Sequence, residues 1–283
     1  MKNISDIAGA LRVIDSGLPG PTLVILGGVH GNERCGVDAV GNIVDETDVL
    51  EPATGKIILL FGNPDAIRAN TRFVTHDLNR LFVSEALEAD CSCTEHRRAR
   101  ELRAILDEAD ILLDIHASFT PASTPFLICE PQALPYLTSV PISTVCFGFD
   151  AVQPGGTDYY MNAQGKIGIC VECGYLGDSR SLSVARAAIA GIVEGMRSLP
   201  SANALVEDKI CYRAVEQYYT QWNVRLRKQF ADFERVQEGE VIGYDGTIPL
   251  IAPEDCLLLF AHDQPMVGGE AFVILKAISP PIF

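Results

Sequence analysis

Three short apolar runs constrain this chain more than any other feature. Thr22–Val29 (TLVILGGV), Lys56–Phe61 (KIILLF) and Asp110–Ile115 (DILLDI) have strand length and are almost wholly apolar. Residues on both alternations are greasy, as in strands covered on both faces. Between them lie segments of helical period. Glu33 to about Glu46 has Val37, Val40, Ile43 and Val44 at helical spacing, and Glu95–Ala109 has Leu102, Ile105 and Leu106 on one face. Pro125–Cys129, Ser143–Phe147 and Lys166–Cys173 are further predicted strands, and Ser183–Leu199 a further helix. Buried strands alternating with amphipathic helices predict an α/β fold, a mixed, mainly parallel sheet flanked by helices.

The pattern changes after about residue 200. From Cys211 the segments are short, alternating and broken by Gly, Pro and Asp, as in GEVIGYDGTIPLIAPEDCLLLF. The chain therefore divides into a main domain over 1–200 and a small β-rich C-terminal domain over 201–283. Its 283 residues suffice for that pair.

The net charge of −15 argues against nucleic acid and anionic membrane surfaces as partners. No apolar run reaches membrane-spanning length, and the start MKNISDIAGALRVIDSG lacks the apolar core of a secretory signal. The expected location is the cytoplasm. Nine cysteines then read as reduced thiols, several buried in strands. Cys91-Ser-Cys93 falls in a polar stretch and reads as a loop. Cys170 and Cys173 have C-x-x-C spacing inside a strand, and a zinc finger would need a second cysteine pair that the chain lacks.

His30-Gly31-Asn32-Glu33 follows the first buried run directly. A histidine and a glutamate three apart at a strand-to-helix junction can turn toward one point, and both are zinc ligands. The plainer reading is a helix start, with Asn32 as cap and Glu33 favouring the dipole. His116 ends DILLDI, so two of the five histidines leave the ends of apolar strands. Two imidazoles and one carboxylate leave a zinc position open for water. Asp114 shares the strand face of His116 and reads either as its support or as a hydrogen-bonded buried acid. Glu172 sits inside IGICVECGY, where a carboxylate is costly unless paired or functional; burial would raise its pKa toward that of a general base. Asn63–Phe82 gathers Arg68, Arg72 and Arg80 in an acidic chain. Arg72, Asn79 and Arg80 suit a substrate carboxylate and an amide carbonyl; the alternative is a loop salt-bridged to Asp65 and Asp77. Glu95–Arg103 (EHRRARELR) reads as a solvated helix face with i,i+4 pairs.

GGVHGNE at 27–33, GNP at 62–64, TRFVTHDLNRLF at 71–82, DIHAS at 114–118 and VECG around Glu172 resemble the aspartoacylase and succinylglutamate desuccinylase family, relatives of zinc carboxypeptidases. DGTIPL at 245–250 and EAF at 270–272 extend the resemblance into the C-terminal part. It implies a zinc carboxypeptidase-like fold with one zinc per chain held by His30, Glu33 and His116. Glu172 would activate the attacking water and protonate the leaving amine. Arg72 would polarise the scissile carbonyl, and Asn79 and Arg80 would grip the substrate carboxylate. Two positions depart from the pattern. Asn162 stands where an arginine for a second carboxylate is expected, and QPMVGG before EAF lacks a tyrosine. The reading is a zinc-dependent deacylase for a small N-acyl amino acid, the oligomeric state, a homo-oligomer included, staying open. A metallocarboxypeptidase for short peptides and a zinc-binding relative without catalysis are the alternatives.

Overall fold

The computed structural model describes residues 9–45, 50–197 and 209–279. Fourteen strands form two sheets among these residues. The large sheet runs β1-β3-β2-β4-β7-β5-β6-β8-β14-β13-β10. Its first seven strands are β1 (Ala10–Asp15), β2 (Thr22–Gly27), β3 (Lys56–Phe61), β4 (Ile111–Ser118), β5 (Phe126–Cys129), β6 (Thr144–Phe147) and β7 (Ile167–Tyr175). β3, β2, β4 and β7 are mutually parallel, as are β5 and β6, whereas β1 and β5 pair antiparallel with β3 and β7. The expected mixed α/β sheet is therefore present, mainly parallel across these seven strands, while the later strands add antiparallel pairs.

The apolar runs are strands because both of their faces are covered. Leu23, Ile25, Ile57, Leu59, Leu113 and Ile115 pack with Ala39, Val40, Ile189 and Val193 of helices α1 (Arg34–Ile43) and α7 (Ser181–Arg197). The alternate residues Val24, Leu26, Ile58, Leu60 and Leu112 pack with Leu102, Ile105 and Leu106 of α4 (Thr94–Leu106). Truncating one of these leucines to alanine costs about 2–5 kcal/mol. Helices α2 (Pro64–Ala69), α3 (Ser84–Glu88), α5 (Phe149–Val152) and α6 (Thr157–Ala163) are short, and Leu87 of α3 and Met161 of α6 join the same core as α4.

The remaining strands are β8 (Ile210–Tyr219), β9 (Val224–Leu226), β10 (Glu234–Val236), β11 (Val241–Asp245), β12 (Ile248–Ile251), β13 (Cys256–Leu259) and β14 (Glu270–Ile278). β8 pairs parallel with β6, so the large sheet runs on across residue 200, while β12, β11 and β9 make a separate antiparallel sheet. The expected ends of two helices, Glu46 and Leu199, lie outside the described residues, as does the region of the expected boundary itself. No helix among the described residues is long and apolar enough to cross a membrane.

Two readings need correction. Seven cysteines are free and buried, but Cys91 and Cys93 are joined in a disulfide. Residues 95–103 are not simply a solvated face, because Glu95 is wholly buried and Arg98 nearly so. Glu95 accepts hydrogen bonds from Asn63 Nδ2, Val74 N, Thr75 N, Thr75 Oγ1 and His76 N. Arg98 donates to the carbonyls of Gly62 and Phe61, both at 2.6 Å. Partners distant in sequence thus turn charges inward that helical spacing alone assigns to solvent.

Candidate metal centre

Parallel strands bring their carboxyl ends to one edge, and a crevice forms there. His30 follows β2, His116 lies near the end of β4, and Glu172 lies on β7 directly opposite His116. Gly31 permits the turn that follows His30: a Cβ there would stand 2.1 Å from the backbone of Ala66. Only a glycine fits so close an approach.

His30, Glu33 and His116 converge. Their ligand atoms lie within 4.8 Å of one another, and the residues are only 3%, 3% and 2% exposed. Glu33 Oε1 lies 2.8 Å from His30 Nδ1, Glu33 Oε2 lies 3.1 Å from His116 Nδ1, and the two Nδ1 atoms are 3.1 Å apart. The far nitrogen of each ring faces another carboxylate. His30 Nε2 is 3.0 Å from Asp77 Oδ1, and His116 Nε2 is 3.1 Å from Asp114 Oδ2, although the latter pair lacks hydrogen-bond geometry. Asp114 also accepts from Thr157 Oγ1. The plain helix-cap reading does not hold: Glu33 occupies the N-cap of α1 without a side-chain cap bond, and Asn32 Oδ1 has no partner.

The electrostatics follow from burial and pairing. Burial by itself raises the Glu33 carboxyl, but the imidazoles of His30 and His116 hold it well below the usual range. Burial by itself lowers His116, but Asp114 and Glu33 hold it well above its usual value. Glu172 is pushed up to about 8 by burial, with Glu33 and Asp232 adding to the rise against His116 and Arg72. Its Oε2 has no hydrogen-bond partner.

The fit to a cation can be judged from these donors. Four atoms about 2.0–2.1 Å from one tetrahedral ion lie roughly 3.3 Å apart. Two imidazole nitrogens and one carboxylate, all within about that distance, with carboxylates behind both rings, match a zinc-type donor set.

A cleft that opens to solvent lies over this edge. Arg72, Asn79, Arg80 and Glu172 all line it. Arg72 donates from Nε to Asp77 at 3.1 Å and from Nη1 to Glu33 at 3.2 Å. Both salt bridges of the plainer loop reading exist, Arg72 to Asp77 and Arg68 to Asp65. Arg80 makes a two-point pair with Glu270 at 2.6 and 2.7 Å and donates from Nη1 to the Asn79 carbonyl. The Asn79 side chain accepts from Thr157 N at 3.1 Å.

Asn162 does not line the cleft but stands behind Asp150, which does. Its Oδ1 accepts from Gly168 N at 2.9 Å, and its Nδ2 donates to Asp150 at 3.4 Å. Lys166 donates to the carbonyls of Leu106 and Asp107. The cleft wall instead carries Asp150 and Asp158 beside Phe149 and Tyr159. Burial and the charges of Asp158 and Glu130 raise Asp150 to about 7. Gln217, Phe260, His262, Glu270 and Phe272 close the cleft from the C-terminal part.

Spacing alone assigns no role here to Glu270, which lines the cleft, or to Asp77 and Asp232, which stand behind its lining residues. Asp77 was readable as an acid inside DLNR, and Glu270 inside EAF. Asp232 accepts from Ser118 Oγ at 2.8 Å, and nothing in FADFE signals that.

Fold and cluster together define a class, an α/β protein with a candidate metal crevice at its strand ends. The family is more specific. Residues 19–194 match the Succinylglutamate desuccinylase/Aspartoacylase catalytic domain, and the chain belongs to that family. It is 26% identical over 167 residues to a probable aspartoacylase of Nostoc sp., covering 54% of each chain. It is 25% identical over 233 residues to an N-acyl-aromatic-L-amino acid amidohydrolase (carboxylate-forming) of Xenopus tropicalis, covering 77% of this chain and 73% of that protein. Against the first curated relatives the match spans 54%, 27% and 37% of their length, about half or less. The fold resembles that of succinylglutamate desuccinylase from Vibrio cholerae, with a TM-score of 0.78 at 19% identity over 95% of this chain and 85% of that one. A point mutant of murine aminoacylase 3 gives a TM-score of 0.71 at 20% identity, over 92% and 95% respectively.

Proposed function

We propose that this chain is a zinc-dependent amidohydrolase that cleaves the amide bond of an N-acyl amino acid, releasing a carboxylate and the free amino acid. The observation that carries this reading is the buried His30–Glu33–His116 cluster sharing one cleft with the unpartnered carboxylate of Glu172. Membership in a family with curated amidohydrolases supports it.

His30 Nδ1, His116 Nδ1 and the Glu33 carboxylate would hold one zinc per chain. Zinc, when bound, supplies Lewis acidity and makes water a nucleophile near neutral pH. Asp77 orients the His30 ring through its Nε2, and Asp114 stands behind the His116 ring. Glu172 takes a proton from the attacking water on a carboxylate oxygen and passes it to the leaving amine nitrogen. Its apolar strand keeps bulk water from competing for that proton. Arg72 donates to the acyl oxygen as negative charge builds there.

Asn79 and Arg80 bind the substrate carboxylate. Of the five guanidinium N–H groups of Arg80, Glu270 and the Asn79 carbonyl occupy three, which leaves two for a ligand. The β-rich unit over 201–283 narrows the cleft through Gln217, Phe260 and Phe272 and so limits substrate size. Asp150 and Asp158 oppose a second carboxylate, and Asn162 and Lys166 offer it no cation. The preferred substrate therefore carries one carboxylate and a neutral side chain.

A screen of N-acetyl and N-succinyl amino acids, neutral and acidic, with zinc supplied and free amine measured, tests this. The expected result is release of acetate or succinate, with kcat/KM at least about tenfold higher for neutral side chains than for N-acetylaspartate. Preference for N-acetylaspartate would contradict the specificity. Release of C-terminal residues from short peptides without deacylation would replace the deacylase by a carboxypeptidase.

A further inference from the structure

A second set of metal-ligating side chains lies outside the cleft. His76, Cys93 and His96 offer one nitrogen, one sulfur and one nitrogen within 4.8 Å of one another. The two rings meet edge to face with centroids 5.0 Å apart. His96 is only 9% exposed, and its Nδ1 is buried without any hydrogen-bond partner. A buried imidazole nitrogen ordinarily has a partner, and this one sits among further donor atoms.

The surrounding backbone is well fixed. Glu95, between Cys93 and His96, holds residues 74–76 through four hydrogen bonds. Arg100 holds the chain before α4 by donating to the carbonyls of Ala89 and Cys91. Cys91 is bonded to Cys93 and so stands next to this set, although its own sulfur is not one of the three donor atoms that converge; freed from Cys93, it would have to turn toward them.

We propose that His76, Cys91, Cys93 and His96 form a second cation site, which takes a d10 ion such as Zn2+ once the Cys91–Cys93 disulfide is reduced. Two thiolates and two neutral imidazoles make a closed tetrahedral set whose charge cancels that of the dication. The run Cys91-x-Cys93-x-x-His96 supplies three ligands from one segment, and His76 brings the fourth from the substrate-side loop. Reduction by a dithiol delivers two electrons and two hydrogens to the paired sulfurs, and the dithiol leaves as its own disulfide. The metal then displaces both thiol protons. A sulfur still held in the disulfide carries no thiolate charge, so the oxidised chain would not bind at this place. The bound ion would clamp the loop before Asp77 to the start of α4. Asp77 contacts both His30 and Arg72, so the clamp would stiffen the cleft wall without touching substrate.

Cobalt(II) tests the proposal, because a sulfur-to-cobalt charge-transfer band needs a thiolate ligand and His30, Glu33 and His116 cannot give one. Full-length protein is reduced, its free thiols are counted, and it is titrated with Co2+ and separately with Zn2+. The expected results are a thiolate band and two zinc ions per chain when reduced, against no band and one zinc per chain when oxidised. Cys93→Ser and His76→Ala should each abolish or shift the band. His76 is exposed, so its variant should fold. His116→Ala should keep the band, which separates failure at the cleft from failure here. A chain with all thiols free and no band overturns the proposal. So does a band that survives His76→Ala and His96→Gln unchanged.

Discussion

The two histidine pairs of this chain meet their neighbours in different ways. His30 and His116 stand at the ends of buried strands, share the Glu33 carboxylate and face Asp77 and Asp114 with their outer nitrogens. His76 and His96 stand between a loop and a helix start, and His96 Nδ1 has no partner. In the first pair a carboxylate stands behind each ring before any ligand arrives, hydrogen-bonded to His30 and 3.1 Å from His116. In the second, the nearby carboxylate of Glu95 is spent on the loop backbone, and a sulfur must be freed first. Preorganisation suits a site that does chemistry, and a site conditional on thiol state suits a structural clamp.

Breaking the first pair should have the largest effect. His116→Ala should lose both the cleft metal and turnover, as seen by metal analysis and amine release. Glu172→Ala should lower kcat by about 10²–10⁴-fold while the metal stays, the expected range for removing a general base. Arg72→Ala should cost on the order of 10²–10³-fold in kcat by removing an oxyanion donor. Asp77→Asn removes the carboxylate behind His30 and should weaken zinc by about 10–100-fold in a competition titration. The pH sign sharpens the same contrast. His116 holds its proton well above the usual imidazole range in the metal-free protein, so zinc must expel that proton. Apparent affinity at the cleft should then rise with pH, by about tenfold per unit for one proton released, in a buffered titration. The smallest effect belongs to the second pair, where His76→Ala should leave turnover of the oxidised enzyme essentially unchanged.

Much of the first region was legible in the sequence. Long apolar runs such as Thr22–Val29 report burial on both faces, and a histidine at the end of such a run has few places to go but the crevice. β1 was not legible, because ALRVID mixes charged and apolar residues on a half-covered edge strand. Nor was the buried start of α4, where Glu95 and Arg98 turn inward only because Asn63, Gly62 and residues 74–76 meet them there. The Arg80–Glu270 pair joins residues 190 apart, a distance no local spacing can announce. Cys91 and Cys93 read as an ordinary polar loop until His76 and His96 are seen beside Cys93.

The most direct measurement is the zinc content of the oxidised Glu172→Ala chain, set beside that of oxidised His116→Ala. The account predicts one zinc with turnover lowered at least about a hundredfold for the first, and neither zinc nor turnover for the second. Zinc lost with Glu172, or kept at full stoichiometry without His116, would contradict it.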